Sequence, residues 1–264
     1  MTGTVYLVGA GPGAPDLLTL RAARLLGEAD VVFHDALVPH QILKLVRTSL
    51  KVPVGKRCGS HSTAQRFINK RLADAAKRYR TVVRLKGGDP MLFGRAHEEI
   101  SFLRENNIPV EVVPGITAAL GASAELGVSL TQRGVSRSVV FATPRAAADA
   151  APSEWAKAVA AADTAVLYMA GGDAAAVLEA LLREGMKPAV PVALAENASL
   201  DSRVHAGTLA ELPQLAERLE GGPALVLIGE VYAELASQRY LPSTSGNVKS
   251  GVASALRRKA SQSA

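Results

Sequence analysis

The residues best suited to bind a small molecule form the run Gly87-Gly88-Asp89-Pro90, which follows a β-branched segment at 81–83. Two adjacent glycines let backbone amides and carbonyls approach a ligand closely, and Asp89-Pro90 fixes an extended turn that carries one carboxylate. A helical pattern begins at Arg95, so the run connects a strand to a helix. An isolated turn of this kind is often only a surface turn, and the other strand ends decide between the two interpretations.

Similar turns follow each of the five strands predicted in the first part of the chain. Parallel strands joined by right-handed crossovers place their carboxyl ends on one edge of a sheet, where ligands bind. The turns contain residues 9–13, Asp35, residues 55–57, residues 87–90 and residues 114–117. Because they would supply glycines, ionisable groups and fixed prolines to one rim, we predict a binding site there.

Alternating strand and helix patterns position these turns. Hydrophobic periodicity predicts strands at 5–8, 31–34, 52–54, 81–85 and 110–113, separated by helices at 17–28, 39–46, 63–78 and 95–105. After a helix at 118–124, it predicts strands at 138–142, 165–168, 190–194 and 225–228, with helices at 153–161, 174–183 and 215–219. We therefore predict an α/β protein of two domains, 1–116 and 117–241, each a mixed or parallel sheet flanked by helices, and a disordered tail over 242–264.

Composition restricts the class of protein further. The chain of 264 residues can hold two domains, and 48% hydrophobic residues with only 4% aromatics indicate an aliphatic core of the kind found in helix-covered parallel sheets. The apolar runs are shorter than the roughly 20 residues that cross a bilayer, and no secretory signal precedes the first strand. We expect a cytoplasmic protein that does not contact membranes. Cys58 is the only cysteine, which excludes an intrachain disulfide.

The charge pattern favours an anionic small molecule over a nucleic acid as partner. The formal charge is +6, but the surplus is spread along the chain. The histidines show no i, i+4 pair of the type that binds a metal on a helix, so we expect no metal.

Residues 9–14 leave a second function open. They satisfy the pattern G-x-G-x-x-A after a strand, and Asp30 or Asp35 follows about 20 residues later, as in dinucleotide-binding proteins. However, Pro12 removes a backbone donor from the loop, and the helical pattern starts only near Leu17, so a pyrophosphate site would be poorly formed. A dinucleotide-sensing regulatory protein stays an alternative from a different functional class.

Taken together, the motifs resemble those of the tetrapyrrole methylases. The matching segments are residues 8–13, 17–20, 54–57, 84–90, 93–95 and 113–118, with Asp35, His61, Ser62, Glu98, Glu99 and Met169. The similarity extends from about residue 4 to about residue 241 and is closest to the members that methylate uroporphyrinogen III. It implies two α/β domains with the active site between them, a homodimer, and S-adenosylmethionine as methyl donor, with S-adenosylhomocysteine as its product.

The resemblance also implies the reaction, which is two successive methylations of uroporphyrinogen III on adjacent pyrrole rings. The product would be precorrin-2, an intermediate for siroheme and cobalamin. No further domain precedes the first strand, so we expect methylation alone. A later corrin-ring methylase, such as the one acting on precorrin-4, shares the donor loops and stays an alternative within the family.

By matching motif, the resemblance assigns roles to individual residues. It makes Asp35 and Lys56 the base and acid for the proton transfers that accompany methylation of a pyrrole carbon. The residues that it assigns to the donor are Pro12, Gly87, Gly88, Asp89, Leu92, Thr117, Ala118, Met169 and Ala198.

The residues alone leave other roles open. Asp35 could serve as a helix N-cap, Lys56 as a solvated charge and Met169 as a core residue. The carboxylates of the substrate require basic partners. Candidates for these partners are Lys56, Arg57, Arg95 and Arg133.

Overall fold

The structure is a computed structural model that describes residues 2–54, 63–145 and 153–237. Contacts between Cα atoms divide the chain into two units, Met1–Gly121 and Ala122–Ala264. Each unit contains one five-stranded sheet with helices against it, so the predicted two-domain α/β class is confirmed. The domain limits 1–116 and 117–241 stay predictions, and the tail at 242–264 lies outside the described residues.

The first unit is built on a parallel sheet with the strand order β3-β2-β4-β1-β5. Its strands are β1 Thr4–Gly9, β2 Val31–His34, β3 Lys51–Pro53, β4 Thr81–Lys86 and β5 Val110–Val113. The central strand β4 is buried from Val82 to Lys86, as expected for a strand with helices on both faces.

The strand register places the carboxyl ends side by side. Leu85 of β4 is the partner of Val8 in β1 and of His34 in β2, and Val8 is in turn the partner of Val113 in β5. Four strands therefore end nearly level, and the turns that follow them start next to one another.

Helices cover both faces of this sheet. They are α1 Leu20–Glu28, α2 His40–Leu43, α3 Thr63–Ala76 and α4 Ala96–Glu105. Helix α5, Ala118–Leu126, follows β5 and contains the limit between the two units. On one face Leu72 and Leu103 pack with Val82, and on the other Leu26 and Ile42 pack with other strand residues. Each fully buried leucine contributes about 2 kcal/mol through burial.

The second unit has a mixed sheet with the strand order β6-β7-β10-β8-β9. Its strands are β6 Val139–Ala142, β7 Thr164–Tyr168, β8 Pro191–Glu196, β9 Arg203–Thr208 and β10 Ala224–Gly229. The β6–β7 pair is parallel, and the other pairs are antiparallel. Its helices are α6 Trp155–Ala161, α7 Ala174–Arg183, α8 Leu212–Ala216 and α9 Ala233–Ser237.

Several predicted elements differ from the observed ones for local reasons. The helix predicted at 17–28 starts only at Leu20, because Thr19 has extended backbone and its hydroxyl accepts a hydrogen bond from the Ala22 amide at 3.2 Å. The helix predicted at 39–46 is only the short α2, and the one predicted at 215–219 starts at Leu212. Strand β9 was not predicted, because its His, Ala and Gly residues have weak strand propensity.

Within the described residues, no helix combines the length and the apolar character required to cross a bilayer.

Candidate functional site

The turns after β1 and β4 are joined by a pair of backbone hydrogen bonds. The Gly11 amide donates to the Gly88 carbonyl at 3.2 Å, and the Gly88 amide donates to the Gly11 carbonyl at 2.8 Å. Both glycines have positive φ, 72° for Gly11 and 65° for Gly88, which side chains with a Cβ atom adopt only at a cost. These two hydrogen bonds connect two loops that are 77 residues apart in the sequence.

Asp89 links the turn after β4 to the turn after β5. One oxygen of its carboxylate accepts a hydrogen bond from the Gly115 amide at 2.9 Å, and the other accepts from the Met91 amide at 2.8 Å. A carboxylate bound by two backbone amides is held in one orientation. Asp89 therefore connects the turns after β4 and β5, a role that the sequence did not reveal.

The backbones at this edge lie too close together for side chains. A Cβ atom on Gly9 would lie 2.6 Å from Gly115 Cα and 2.7 Å from the Gly88 carbonyl oxygen. A Cβ atom on Gly121 would lie 2.9 Å from the Cβ and Cγ atoms of Pro12, so the proline ring packs directly on α5. Glycine is required at these positions because the space is already filled by backbone or proline atoms.

The structure brings six of the residues assigned to the donor to this one edge. They are Pro12, Gly87, Gly88, Asp89, Thr117 and Ala118. The position of a Gly88 Cβ atom would be 3.9 Å from Thr117 Cα and 4.0 Å from the Ala118 amide nitrogen. Leu92 belongs to the same turn, since its amide donates to the Asp89 carbonyl at 3.3 Å. We refer to these seven residues as the loop rim.

Apolar side chains are exposed beside the loop rim. Leu37, Met91 and Phe93 are 62%, 61% and 39% exposed. Leu37 follows β2, and a Cβ atom on Gly87 would lie 3.2 Å from Leu37 Cβ. Exposed apolar side chains beside the ends of parallel strands can contribute contacts to a ligand.

Asp35 lies at the same edge and is part of a buried ion-pair cluster. Its carboxylate forms a salt bridge with Arg84, whose Nε also bonds to Glu99 at 3.0 Å. Lys86 Nζ lies 2.9 Å from the second Glu99 oxygen. The Asp35 side chain is 26% exposed, whereas Arg84, Lys86 and Glu99 are at most 4% exposed. The alternative N-cap role of Asp35 is wrong, because the residue that precedes α2 is Pro39.

The pKa values of the cluster follow from burial and pairing. Burial opposes the charge of Arg84, but Asp35 and Glu99 outweigh that effect and raise its pKa. Burial and the neighbouring Arg84 lower the pKa of Lys86, although Glu99 acts in the opposite direction. Sequence reasoning missed this cluster, although the signal was present as charged residues at alternate positions of an otherwise apolar central strand.

Arg95 is a surface cation with a partner. Its Nε and Nη2 atoms donate to the two Glu98 oxygens at 2.7 Å each. This hydrogen bonding raises the pKa of Arg95 and lowers that of Glu98. Arg133 is exposed in the second unit, and the candidates Lys56 and Arg57 lie outside the described residues.

The remaining donor candidates, Met169 and Ala198, are in the second unit. Met169 follows β7 with a φ of 57° and is 40% exposed, so the interpretation as a core residue is wrong. A positive φ in a non-glycine residue at a strand end is a strained conformation that is common at functional sites. Ala198 is 7% exposed and lies between Asn197 and Ser199, which also have positive φ.

Glu125 holds the turn that contains Ala198. Its carboxylate accepts hydrogen bonds from the Ser199 amide at 2.8 Å and from the Ser202 hydroxyl at 2.6 Å. The backbone of Ala198 is thereby fixed, which is what a contact made through backbone atoms requires.

A metal centre is not evident in the part of the chain described. No group of three or more His, Cys, Asp or Glu residues in residues 2–54, 63–145 and 153–237 could hold a metal ion. The expectation of no metal stays a prediction from the sequence.

Comparison with known proteins identifies related chains. A sequence model of the family Tetrapyrrole (Corrin/Porphyrin) Methylases matches residues 4–213. The siroheme synthase of Pseudomonas fluorescens (strain Pf0-1) is 48% identical over 233 residues, which are 87% of this chain and 50% of that protein. The siroheme synthase of Zymomonas mobilis is 45% identical over 231 residues, 87% of this chain and 49% of that protein. The chain thus spans about half the length of the curated relatives that it matches.

Solved structures share the fold over most of the chain. The uroporphyrin-III C-methyl transferase from Thermus thermophilus complexed with S-adenyl homocysteine is 39% identical, with a TM-score of 0.78, covering 88% of this chain and 100% of that chain. A cobalt precorrin-4 methyltransferase is 24% identical with a TM-score of 0.73, covering 86% of this chain and 95% of that one. The second similarity concerns the fold alone.

The close backbone packing at the loop rim predicts the effect of one methyl group. We expect Gly9→Ala to lower the free energy of unfolding by about 2 kcal/mol, because its Cβ atom would overlap the backbone of Gly115 and Gly88. Gly27→Ala is the control, since a Cβ atom there would lie 3.8 Å from the flexible Arg47 side chain. Urea denaturation measures both, and equal stability of the two variants would show that the rim tolerates a side chain.

The Glu125 contacts predict a second effect on stability. We expect Glu125→Ala to lower the free energy of unfolding by about 1 to 2 kcal/mol, because the Ser199 amide and the Ser202 hydroxyl lose a charged acceptor. Ser202→Ala removes only one of these hydrogen bonds and should cost about half as much. Thermal and urea unfolding measure the two variants, and a Glu125→Ala protein as stable as the parent would contradict the role.

Proposed function

Because the chain belongs to the tetrapyrrole (corrin/porphyrin) methylases, we propose that it transfers methyl groups from S-adenosylmethionine to uroporphyrinogen III. Two transfers to adjacent pyrrole rings would give precorrin-2, an intermediate for siroheme and cobalamin. The 39% identity to the Thermus thermophilus transferase over that whole chain supports this substrate. The structural observation that carries the proposal is the loop rim, which gathers predicted donor residues from three separate turns at one sheet edge.

The loop rim suits S-adenosylmethionine better than a dinucleotide. A sulfonium donor with a carboxylate and an adenine needs backbone donors and acceptors and an apolar surface, not a phosphate cradle. A pyrophosphate would need a helix start directly after the glycines of residues 9–13, whereas a 3₁₀ turn at Pro15–Leu17 comes first and α1 begins at Leu20. This arrangement disfavours the dinucleotide alternative.

In the proposed reaction, the donor supplies an electrophilic methyl group, and the chain supplies binding groups and proton transfer. The loop rim would hold the donor, and the family resemblance assigns Met169 and Ala198 to the donor as well. The Asp35 carboxylate, held by Arg84 and partly exposed, would accept the proton that a pyrrole carbon loses after methylation. Lys56 stays the proposed acid. Proton transfer of this kind contributes about 10²- to 10⁴-fold to rate.

The surface beside the loop rim has the features that a carboxylated macrocycle requires. The exposed Leu37, Met91 and Phe93 side chains can contact pyrrole rings. Arg95, whose partner in the structure is Glu98, offers a planar guanidinium for a substrate carboxylate. We also propose, from the family resemblance, that the protein acts as a homodimer, and from the sequence that it is cytoplasmic.

An anaerobic assay with mass detection tests the reaction. Purified protein with S-adenosylmethionine and uroporphyrinogen III should give a product that carries two added methyl groups. The alternative precorrin-4 enzyme would leave uroporphyrinogen III unchanged. If no methylated product forms and calorimetry detects no binding of S-adenosylhomocysteine, the proposed function is wrong.

The proposed base predicts a separation of binding from turnover. Asp35→Asn should lower kcat by about 10²-fold or more while the affinity for S-adenosylhomocysteine stays unchanged, because the amide cannot accept the proton. Asp74→Asn on α3 is the control, since Asp74 is an exposed partner of Lys77 and should have no effect. Unchanged kcat in Asp35→Asn would remove this residue from the role of base.

A further inference from the structure

We propose that Arg84 is a positioning residue for Asp35, and that Glu99 determines how much of the Arg84 charge acts on that carboxylate. The inference rests on the proposed function, in which Asp35 accepts a proton during methylation. It assigns a role in that function to Arg84 and Glu99, whose side chains are nearly inaccessible to solvent.

The first support is the way in which the Arg84 guanidinium is held. Its Nη2 contacts Asp35, its Nε donates to Glu99 at 3.0 Å, and its Nη1 donates to the Leu85 carbonyl at 3.2 Å. All three nitrogens are engaged, so the planar group has one orientation. A carboxylate bound to a fixed guanidinium is oriented in turn, which a flexible cation could not achieve.

The second support is the anchoring of Glu99 itself. One of its oxygens accepts hydrogen bonds from Arg84 and from Gln65 Nε2, the latter at 3.2 Å. Its other oxygen accepts from Lys86 Nζ at 2.9 Å. Glu99 is completely buried, so its negative charge lies in a fixed position, bound to Arg84 through a different nitrogen from the one that contacts Asp35.

The third support is the unequal exposure of the cluster. Asp35 is 26% exposed, whereas the side chains of Arg84 and Glu99 are 3% and 0% exposed. Burying several ionised groups is costly, and apolar residues would fill the same space with equal or better stability. Within this cluster only the Asp35 carboxylate reaches solvent, at the edge where the strands end. We therefore attribute the buried charges next to it to a requirement for holding this carboxylate in position.

In the part of the chain that the structure describes, β4 and α4 supply the charged groups of the cluster around Asp35. On β4 they are Arg84 and Lys86, and on α4 the nearest anion is Glu99. The neighbouring His34 ring nitrogen lies 3.2 Å from the Asp35 backbone carbonyl. At the start of α4, Arg95 and Glu98 form an exposed ion pair, and His97 lies between them in the sequence.

The electrostatics give opposite expectations for two variants. Removing the cation in Arg84→Met leaves Asp35 without its partner, so the acidic limb of the kcat/KM profile should move to higher pH by about one unit. Removing the competing anion in Glu99→Gln lets the charge of Arg84 act more fully on Asp35, so the same limb should move to lower pH. A purely structural role would lower activity in both variants without this opposite displacement.

The experiment measures pH profiles of uroporphyrinogen III methylation by the full chain. Arg84→Lys keeps the positive charge but loses the planar guanidinium and its several hydrogen bonds. The acidic limb of its kcat/KM profile should stay near that of the parent, while kcat falls about 10-fold or more. Arg24→Met, which removes an exposed cation paired with Glu28, is the matched control and should leave the profile unchanged. Calorimetry with S-adenosylhomocysteine should give the parental affinity for every variant.

The outcomes separate this inference from the proposed function. If the parent protein does not methylate uroporphyrinogen III, the function fails first. If the parent and Asp35→Asn behave as proposed, but Arg84→Met and Glu99→Gln move the acidic limb in the same direction or not at all, the inference is overturned. Should Arg84→Met not fold, Glu99→Gln and Arg84→Lys decide alone, and a Glu99→Gln limb that is unmoved or higher than the parental one overturns it.

Discussion

The first unit depends on the close approach of three backbone segments, at Gly9, Gly88 and Gly115. These segments belong to the ends of neighbouring strands that stop level with one another. A Cβ atom on Gly9 or Gly115 would overlap the neighbouring backbone, and the segments are connected by backbone hydrogen bonds and by the carboxylate of Asp89. Because the strands are parallel and in register, this constraint collects backbone donors and acceptors at one edge of the sheet.

Charge is distributed in the first unit in a way that complements this backbone rim. The rim itself contributes one carboxylate, which is already bound by two amides. The reactive carboxylate that we propose, Asp35, is supplied from the next strand end, and its partner is a cation in the middle of the sheet. The carboxylate that fixes the loops, Asp89, is therefore a different group from the one that would exchange a proton, Asp35. Protonation of Asp35 would leave the hydrogen bonds of Asp89 in place.

The sequence predicted the strands of the first unit well, because most are short runs rich in valine and other apolar residues and are followed closely by glycine, proline or aspartate. It also predicted that Gly88 and Pro12 would lie at one edge, which follows from parallel topology. It could not reveal the contact between Arg84 and Asp35, since the two residues are separated in the chain by 49 positions and only the register of β2 and β4 brings them together. Strand β9 escaped prediction for a different reason, because its pairing with β8 supplies the stability that its composition lacks.

The second unit achieves order in its turns by other means. Its mixed sheet does not gather all strand ends at one edge, so a turn such as the one containing Ala198 cannot be fixed by neighbouring turns of the same kind. Instead Glu125 binds the turn from a helix, and three residues of this unit, Met169, Asn197 and Ser199, are held at positive φ. Such conformations persist only where surrounding contacts determine them. The positive φ values at Met169 and on both sides of Ala198 show that these turns hold a defined backbone geometry. A defined geometry is what the proposed role of Met169 and Ala198 requires, because they would contact the donor through main-chain atoms and an exposed thioether.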